Sequence, residues 1–412
     1  MPENTAISIK DGSLGIAGGA FSGCNDLTSL IIPNSVTTLP RSMGCGAIEH
    51  IHVPSSVNWI GLYSINKCKT VIIEDGNNEL RLQDRNDDEG YWDGVFSGVK
   101  KLYVGRNTDC SGFSSAGQVF TISGSPYTQL TDVTFGPQVT SAFTGYDFRS
   151  CDKVTSVTCL AKQPFTSPDF YQIPQTAVLK VPLGSKQYYE SATGWSDFKS
   201  IEEVTEVSIT MSGTEMVYSS DFDLDFSHVE GLKAYVVSDY DDASSTITLK
   251  HVQIVPAGKG VILKGAEGTY TVPCTNVEAG LAGLLCGTIS GKYINSTQDD
   301  NVNFVFDKVN HVFKAVDIVY GCQLSRNEAY LSLPTSSVSG NGSIMTQYVD
   351  TGDINTDGQT TAQDASLVLQ HVAGKTPLND NVKKAADVNG DGEVTAQDAS
   401  LILQKVAGKI DW

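Results

Sequence analysis

Residues 20–39 read AFSGCNDLTSLIIPNSVTTL, and residues 42–60, SMGCGAIEHIHVPSSVNWI, run through the pattern again. Cys24 falls over Cys45, Leu30 over Ile51, Pro33 over Pro54 and Val36 over Val57. Looser echoes follow in SINKCKTVIIEDGNNEL, VFSGVKKLYVGRN, QLTDVTFGPQVTSAF and CDKVTSVTCLAKQPF. A unit of about twenty residues cannot close a core alone. Its copies must stack, one short strand each, into a solenoid whose interior runs from unit to unit. The charged stretch RLQDRNDDEGYWDG breaks the pattern and reads as an insertion on one face.

The nine cysteines are odd in number and form no CxxC, so neither complete internal pairing nor a zinc site is encoded. Cys24, Cys45 and Cys68 recur at the repeat length and suit stacked buried thiols. In AVLKVPLGSKQYYESATGWSDFKSIEEV, the side chains of Tyr188, Tyr189, Trp195 and Phe198 are placed to cover the apolar edge of the last repeat. Trp59, Tyr63, Tyr91 and Trp92 are able to form a recognition surface, although packing is the more common use of such residues. His50 and His52 share a strand face, where a metal would need two more ligands; exposed polar positions are the simpler reading. The repeats resemble the bacterial surface-antigen (BspA-like) class of leucine-rich repeats, whose units read F-x-x-C-x-x-L-x-x-(I/L)-x-(I/L)-P-x-S-V. The resemblance runs from about Gly15 to Val204.

Twenty-eight basic and 47 acidic residues leave a net charge of −19 over 412 residues, which argues against nucleic acid or an anionic membrane as partner. No apolar run reaches the roughly 18 residues a membrane helix needs. The opening MPENTAISIK lacks the regions of an export signal, which leaves open a cytosolic chain or a leader outside this sequence.

From Thr205 to Gln347, short alternating runs such as KAYVVSDY, STITLKHVQIV and NFVFDKV are separated by Gly, Pro, Asn and Asp. They predict an antiparallel, sandwich-like β domain. Its order of pieces resembles a β domain that follows such repeats in secreted proteins of gut and rumen bacteria. DFDLDF sets Asp221, Asp223 and Asp225 on one strand face, to be read as a solvated edge before a cation site. HExxH, GxSxG, a P-loop and a dinucleotide fingerprint are all missing, so no enzyme is expected. A glycosidase acid pair distant in sequence stays open.

The C-terminal stretches DINTDGQTTAQDASLVLQHVAGK and DVNGDGEVTAQDASLILQKVAGK are close copies, 34 residues apart. Each opens a twelve-residue loop with Asp, Asn and Asp at positions one, three and five, Gly at six and Asp at twelve. Alternate side chains of a tight loop converge on one centre, and an all-oxygen set of this size suits Ca2+ rather than Mg2+. Two calcium ions are expected. Asp353, Asn355, Asp357, the Gln359 carbonyl and Asp364 would hold the first, and Asp387, Asn389, Asp391, the Glu393 carbonyl and Asp398 the second. Thr361 and Thr395 would bridge through water. Gly358 and Gly392 supply the sharp turn. A helix is expected to begin at Asp364 and at Asp398, the stripes Ala365, Val368, Leu369, Val372 and Ala399, Ile402, Leu403, Val406 packing together.

No full helix enters either loop. The loop-plus-exiting-helix unit, repeated once, resembles a type I dockerin over about Val349 to Trp412. The resemblance implies docking onto a cohesin of a scaffoldin in a cellulosome-type assembly, with polysaccharide breakdown as the associated process. It places the recognition pair at loop positions ten and eleven, Ala362, Gln363 and Ala396, Gln397, where many dockerins carry a hydroxyl pair, with further contacts near Leu369, Gln370, Leu403 and Gln404. The second helix face, Leu367, Gln370, His371 and its copy Leu401, Gln404, Lys405, completes the candidate surface. Leu369 and Leu403 are claimed by both core and surface. Tyr348 and Trp412 are placed to clasp the ends of the module.

The chain is therefore expected to be multidomain and mainly β: a leucine-rich-repeat solenoid with its cap over 1–204, an antiparallel β domain over 205–347 and a small α dockerin with two EF-hand-like loops over 348–412. The expected function is that of a secreted or cell-surface, non-catalytic protein that docks onto a cohesin and presents its repeats to a protein or glycan. A surface adhesin and a polysaccharide-active enzyme are the alternatives.

Overall fold

The computed structural model describes residues 5–44, 46, 48–61, 64–65, 67–82, 95–110, 119–120, 128–143, 148, 151–166, 168, 170, 173–340, 342–355 and 359–410. Cys45, Tyr63, Tyr91, Trp92, Asp357, Gly358, Trp412 and most of the charged insertion lie outside them.

The repeats stack as a solenoid. Strands His50–Val53, Thr70–Ile73, Lys101–Val104, Asp132–Phe135, Ser156–Cys159, Val178–Pro182 and Ser200–Val204 form one seven-stranded parallel sheet. Its register sets Ile51 beside Val71 and Val71 beside Leu102, so the second and fourth residues of the first six strands, and Ile201 of the last, fill one continuous interior. Strand side chains alternate, which turns His52, Ile72, Tyr103 and Thr134 outward. The expectation of one strand per repeat holds only for this sheet. A second parallel ribbon runs through Thr38–Leu39, Trp59–Ile60, Leu80–Leu82 and Thr108–Asp109. Stacked turns bring these short pieces into register, and Trp59 serves as one of its strand residues, half-buried.

Arg106 is fully buried and replaces apolar filling with hydrogen bonds. Its guanidinium donates to the carbonyls of Pro54, Ser55 and Val57, which follow the strand two places away in the sheet. Cys68, Cys110, Cys151 and Cys159 are buried, and Cys24 is partly exposed. Toward the C-terminal end the core turns aromatic: Phe120 stacks on Phe148 at 5.2 Å, and Phe135 meets Trp195 edge-on. Helix α1 (Lys186–Ser191) carries Tyr189, whose hydroxyl donates to the Ala161 carbonyl at 2.6 Å, while Trp195 Nε1 donates to that of Phe165. Tyr189, Trp195 and Phe198 are buried, but Tyr188 points to solvent.

The following region is built on one large sheet with Val261–Gly265, Leu232–Asp241, Thr246–Val252, Ile344–Val349, Val312–Ala315, Asn301–Asp307 and Glu328–Pro334 as consecutive neighbours. Alternation divides its side chains between two cores. Leu232, Ala234, Val261 and Leu263 enter one, and Tyr235, Val237 and Ile262 the other. The sheet departs from the antiparallel expectation at one pairing: Ile344–Val349 runs parallel to Thr246–Val252. Its other neighbour, Val312–Ala315, is antiparallel, so the strand is held on both edges. Tyr348 belongs to this sheet, its ring 4.7 Å from that of Tyr235 and 3.7 Å from Lys264 Nζ. The sheet thus runs on to Val349, and the expected clasp with Trp412 lies outside the described residues.

The β domain rests on the outward face of the solenoid sheet. Tyr103, Leu160 and Ile289 pack with Ile72 and Phe222 across the joint. Asn34 Nδ2 donates to the Tyr293 carbonyl at 2.8 Å, and the Asp75 amide donates to Ser290 Oγ at 3.0 Å. Lys162 pairs with Asp223 at 2.7 Å.

After Gly352, whose amide donates to the Ala385 carbonyl, the chain forms α2 (Ala362–Val372), α3 (Asp380–Ala386) and α4 (Ala396–Val406). Their core is Ala365, Val368, Ala386, Ala399 and Ile402, with Ile354 beneath. Alanines at the crossing let α2 and α4 approach closely.

Candidate functional site

In the second loop Asp387 Oδ1 accepts from the Asp391 amide at 3.1 Å and its Oδ2 from the Gly392 amide at 2.8 Å. Asn389 Oδ1 also accepts from the Asp391 amide, and Asp391 Oδ1 accepts from the Glu393 amide. These bonds curl the loop so that positions one, three and five lie together. Gly392 makes the turn possible with φ of 89°, a left-handed value that a side chain strains to adopt.

Asp398 lies fully buried at the base of the loop. Its Oδ1 accepts from Val388 N at 3.1 Å, and its Oδ2 from Thr395 N at 2.8 Å and the Thr395 hydroxyl at 3.0 Å. The first loop repeats this around Asp364, also fully buried, which accepts from Ile354 N, Asn355 N, Thr361 N and the Thr361 hydroxyl.

These bonds correct one expectation. The helices begin at Ala362 and Ala396, not at the aspartates, because Thr361 and Thr395 are the N-caps and the aspartates are the third helical residues of capping boxes. Each threonine accepts from the amide of Gln363 or Gln397 at 3.2 Å, satisfying one of the unpaired donors at the helix start. Thr361 and Thr395 therefore cap the helices and orient the aspartates through their hydroxyls. T-x-x-D before an apolar stripe was the sequence signal for this.

The donor set fits calcium. Each loop presents hard oxygens only, several of them anionic, on a turn whose amides already hold the carboxylates in place. Among the described residues no group of three His, Cys, Asp or Glu side chains is drawn together as in a filled metal site. Asp364 and Asp398 spend their oxygens on amides and hydroxyls. Asp353 is buried and Asn355 and Gln359 follow it in the first loop; Asp357 lies outside the described residues.

The two helices leave matched apolar patches in solvent. Leu369 is 46% exposed and Leu403 45%, while Val372 and Val406 are both 46% exposed. The conflict over Leu369 and Leu403 is thus settled for the surface, and the lower half of each expected stripe does not pack. Leu367 is half-buried against the module core, and Leu401 is likewise only partly exposed. Ala362, Gln363, Ala396 and Gln397 are exposed beside the caps. Gln370 and Gln404 each turn back on their own helices, toward Ser366 and Ser400 at 3.4 Å.

The copies differ where their sequences differ. His371 Nδ1 accepts from the Leu378 amide at 3.2 Å, tying α2 to the segment after it. Lys405 instead lines a recess with Lys233, Lys250, His251 and Asp350 of the β domain, where partial burial lowers its pKa. Lys384 of α3 also pairs with Asp239 at 2.9 Å.

The other candidate positions are spent structurally. Asp221 accepts from Arg326 and Asn327, each at 2.9 Å, Asp223 binds Lys162, and Asp225 accepts from the Ser227 amide. DFDLDF is therefore not a solvated edge: Asp225 anchors its own turn, while Asp221 and Asp223 hold partners distant in the chain. His50 is exposed, but His52 is not the surface residue expected: the backbone of Ser290 and Gly291 covers it, and burial pushes its imidazole down to about 4. Both ring nitrogens lie buried without a well-formed hydrogen bond. Its cover comes from residues over two hundred positions away, which no local pattern announces.

A parallel repeat solenoid, a β domain and a duplicated loop–helix module define a modular, mainly β repeat protein with a calcium-type docking unit. Residues 351–407 match the type I dockerin domain, and residues 3–81 match the BspA type leucine-rich repeat region in six copies. The chain thus carries a type I dockerin behind BspA-type leucine-rich repeats. Both are non-catalytic module types, and type I dockerins bind calcium and dock onto cohesins. A leucine-rich cell surface protein from Faecalibacterium prausnitzii is similar at 17% identity and a TM-score of 0.17, over 47% of this chain and 58% of that one. The chain spans less than two thirds of that protein. No curated protein matches. No helix among the described residues is long and apolar enough to cross a membrane.

Proposed function

We propose that this chain is a secreted, non-catalytic component of a cellulosome-type assembly, divided into solenoid, β domain and dockerin. It binds one calcium ion in each C-terminal loop, docks onto a cohesin of a scaffoldin, and presents the repeat side of the molecule to a protein ligand. The matched exposure of Leu369, Val372, Leu403 and Val406 carries this reading. Four aliphatic side chains half in water on a small module cost solubility unless a partner covers them. Ala362, Gln363, Gln370 and their copies Ala396, Gln397 and Gln404 would form the polar rim.

Calcium when bound supplies the charge balance that lets Asp353, Asp357, Asp387 and Asp391 converge. The residues of this chain do the rest. Asp364 and Asp398 lock each loop to the first turn of its helix, so a rigid loop sets the angle at which α2 and α4 are shown. Helix α3, capped by the Asn379 side chain on the Val382 amide, joins the two units. Docking predicts capture of the chain by immobilised cohesin from the same cell with calcium, and its release by chelator. Absence of capture by every cohesin of that cell would remove the function. The adhesin alternative is weakened by the β domain, which covers the stripe His52, Ile72 and Tyr103 on the face such a solenoid would offer.

A further inference from the structure

Where the β domain meets the solenoid there is a cleft of about 820 Å3, with Glu74, Asn77 and Gln138 on one wall and Lys292, Gln298 and Asp299 on the other. Its volume lies within the roughly 300–1,000 Å3 typical of small-ligand sites. Glu74 is 2% exposed. Its Oε2 accepts from the Ser55 amide at 2.9 Å, while among the described residues no group donates to Oε1, and the residue lines the cleft. The natural counter-charge is committed elsewhere: Arg106 spends its guanidinium on the carbonyls of Pro54, Ser55 and Val57. Lys292 leans over the Tyr330 ring, 5.9 Å from its centroid.

We propose that this cleft binds an organic cation, the ammonium or guanidinium end of a lysine or arginine side chain in a peptide, with Glu74 Oε1 as its anchor. A buried carboxylate with an open oxygen gains most from a cationic hydrogen-bond donor. The planar amides of Asn77, Gln138 and Gln298 suit the flanking peptide groups. A metal ion fits poorly, because Asp75 already accepts from Tyr103 at 2.9 Å and, among the described residues, no third His, Cys, Asp or Glu side chain gathers with these two to hold one. Burial raises the Glu74 carboxyl to about 7, against the smaller effects of the Ser55 amide, Lys292 and Arg106, with Asp75 adding to the rise. Tyr330 also faces it. Below about pH 7 the carboxyl therefore holds a proton that a cation must displace. Asp75, itself raised to about 6 chiefly by burial, would be neutralised over the same range and reinforce the trend.

The cleft is separate from the dockerin, so this binding stands or falls independently of cohesin docking. The test is calorimetric titration of the full, calcium-loaded chain with acetyl-Gly-Lys-Gly-amide, acetyl-Gly-Arg-Gly-amide and acetyl-Gly-Gln-Gly-amide. The two basic peptides should bind at least about tenfold tighter than the glutamine peptide, the preference falling about tenfold between pH 8 and pH 5.5. Glu74→Gln should abolish the preference, and Lys292→Met, which removes a competing charge without touching the anchor, should strengthen it severalfold. Equal binding of the glutamine peptide, no binding of any peptide at millimolar concentration, a pH-independent preference, or weaker binding in Lys292→Met would overturn the proposal.

Discussion

The Tyr103 hydroxyl donates to Asp75 Oδ1 at 2.9 Å, joining neighbouring strands of the solenoid beneath the β domain. The same tyrosine ring lies 4.4 Å under the Arg326 guanidinium, which in turn pairs with Asp221. Two glycines make room for this: a Cβ on Gly105 would stand 2.6 Å from Asp75 Oδ1, and one on Gly136 2.7 Å from the same atom and 3.0 Å from the Tyr103 oxygen. Tyr103→Phe removes a donor from a largely buried carboxylate and should cost about 1–3 kcal/mol. Gly136→Ala should cost about as much by overpacking. Urea unfolding of the solenoid and β domain checks both, and a midpoint unchanged in Tyr103→Phe would show that Asp75 is satisfied without it.

The joint should respond to pH through groups of opposite sign. Glu74 and Asp75 are raised, to about 7 and about 6, so their contribution is complete at low pH and lost as pH rises through those values. His52 is lowered to about 4, so its contribution is complete above about 6.5 and lost on acidification. Between pH 5 and 8, with calcium saturating, the carboxylates outweigh the imidazole and stability should fall as pH rises. Glu74→Gln leaves Asp75 and His52 nearly balanced. Its unfolding midpoint should be close to flat over that range; a slope equal to that of the parent would refute the assignment.

Removing calcium should unfold the C-terminal module selectively. At a thousandfold excess of metal over Kd, each site contributes about 4 kcal/mol, which for so small a module is worth tens of degrees of melting temperature. Circular dichroism at 222 nm with chelator should show loss of the α2 and α4 signal while the β signal persists. Calcium should restore it, and magnesium at the same concentration should not.

Thr395→Val tests whether the threonine acts as a cap. Losing the bond to the Gln397 amide should cost about 1 kcal/mol, and Asp398 loses a hydroxyl donor as well. Calcium titration should show weakened affinity at the second loop alone. Equal weakening at both loops would point to a general effect on the module.

The near-equal exposure of the two aliphatic patches bears on how a cohesin is engaged. If either patch serves, Leu369→Glu with Val372→Glu removes one of two equivalent modes and costs only about twofold in affinity. Leu403→Glu with Val406→Glu should do the same, and all four together should abolish capture. A complete loss from one pair would show that the β domain, which touches Lys405 and Lys384, has selected a single mode.

What the sequence revealed depended on how far each signal reached along the chain. The repeat period, the aromatic closure at Tyr189 and Trp195, and the duplicated loop–helix unit of the dockerin are local patterns, and each was legible. The ribbon of strands such as Thr38–Leu39 was not, since two residues carry no alternation. Leu367 and Leu369 exchanged roles because α2 meets α4 through alanines, which narrows the packed stripe to Ala365 and Val368. His52, Glu74 and Asp221 owe their environments to residues far away in the chain, and nothing in their neighbourhoods distinguished them from surface positions.

Strand Ile344–Val349 lies inside the large sheet, and the loop ligand Asp353 follows only a few residues later. The module therefore hangs on the sheet with almost no slack. Any force on the C-terminal unit directed along that strand would reach its five pairings with Thr246–Lys250 as a shearing load, with no flexible tether to absorb it first.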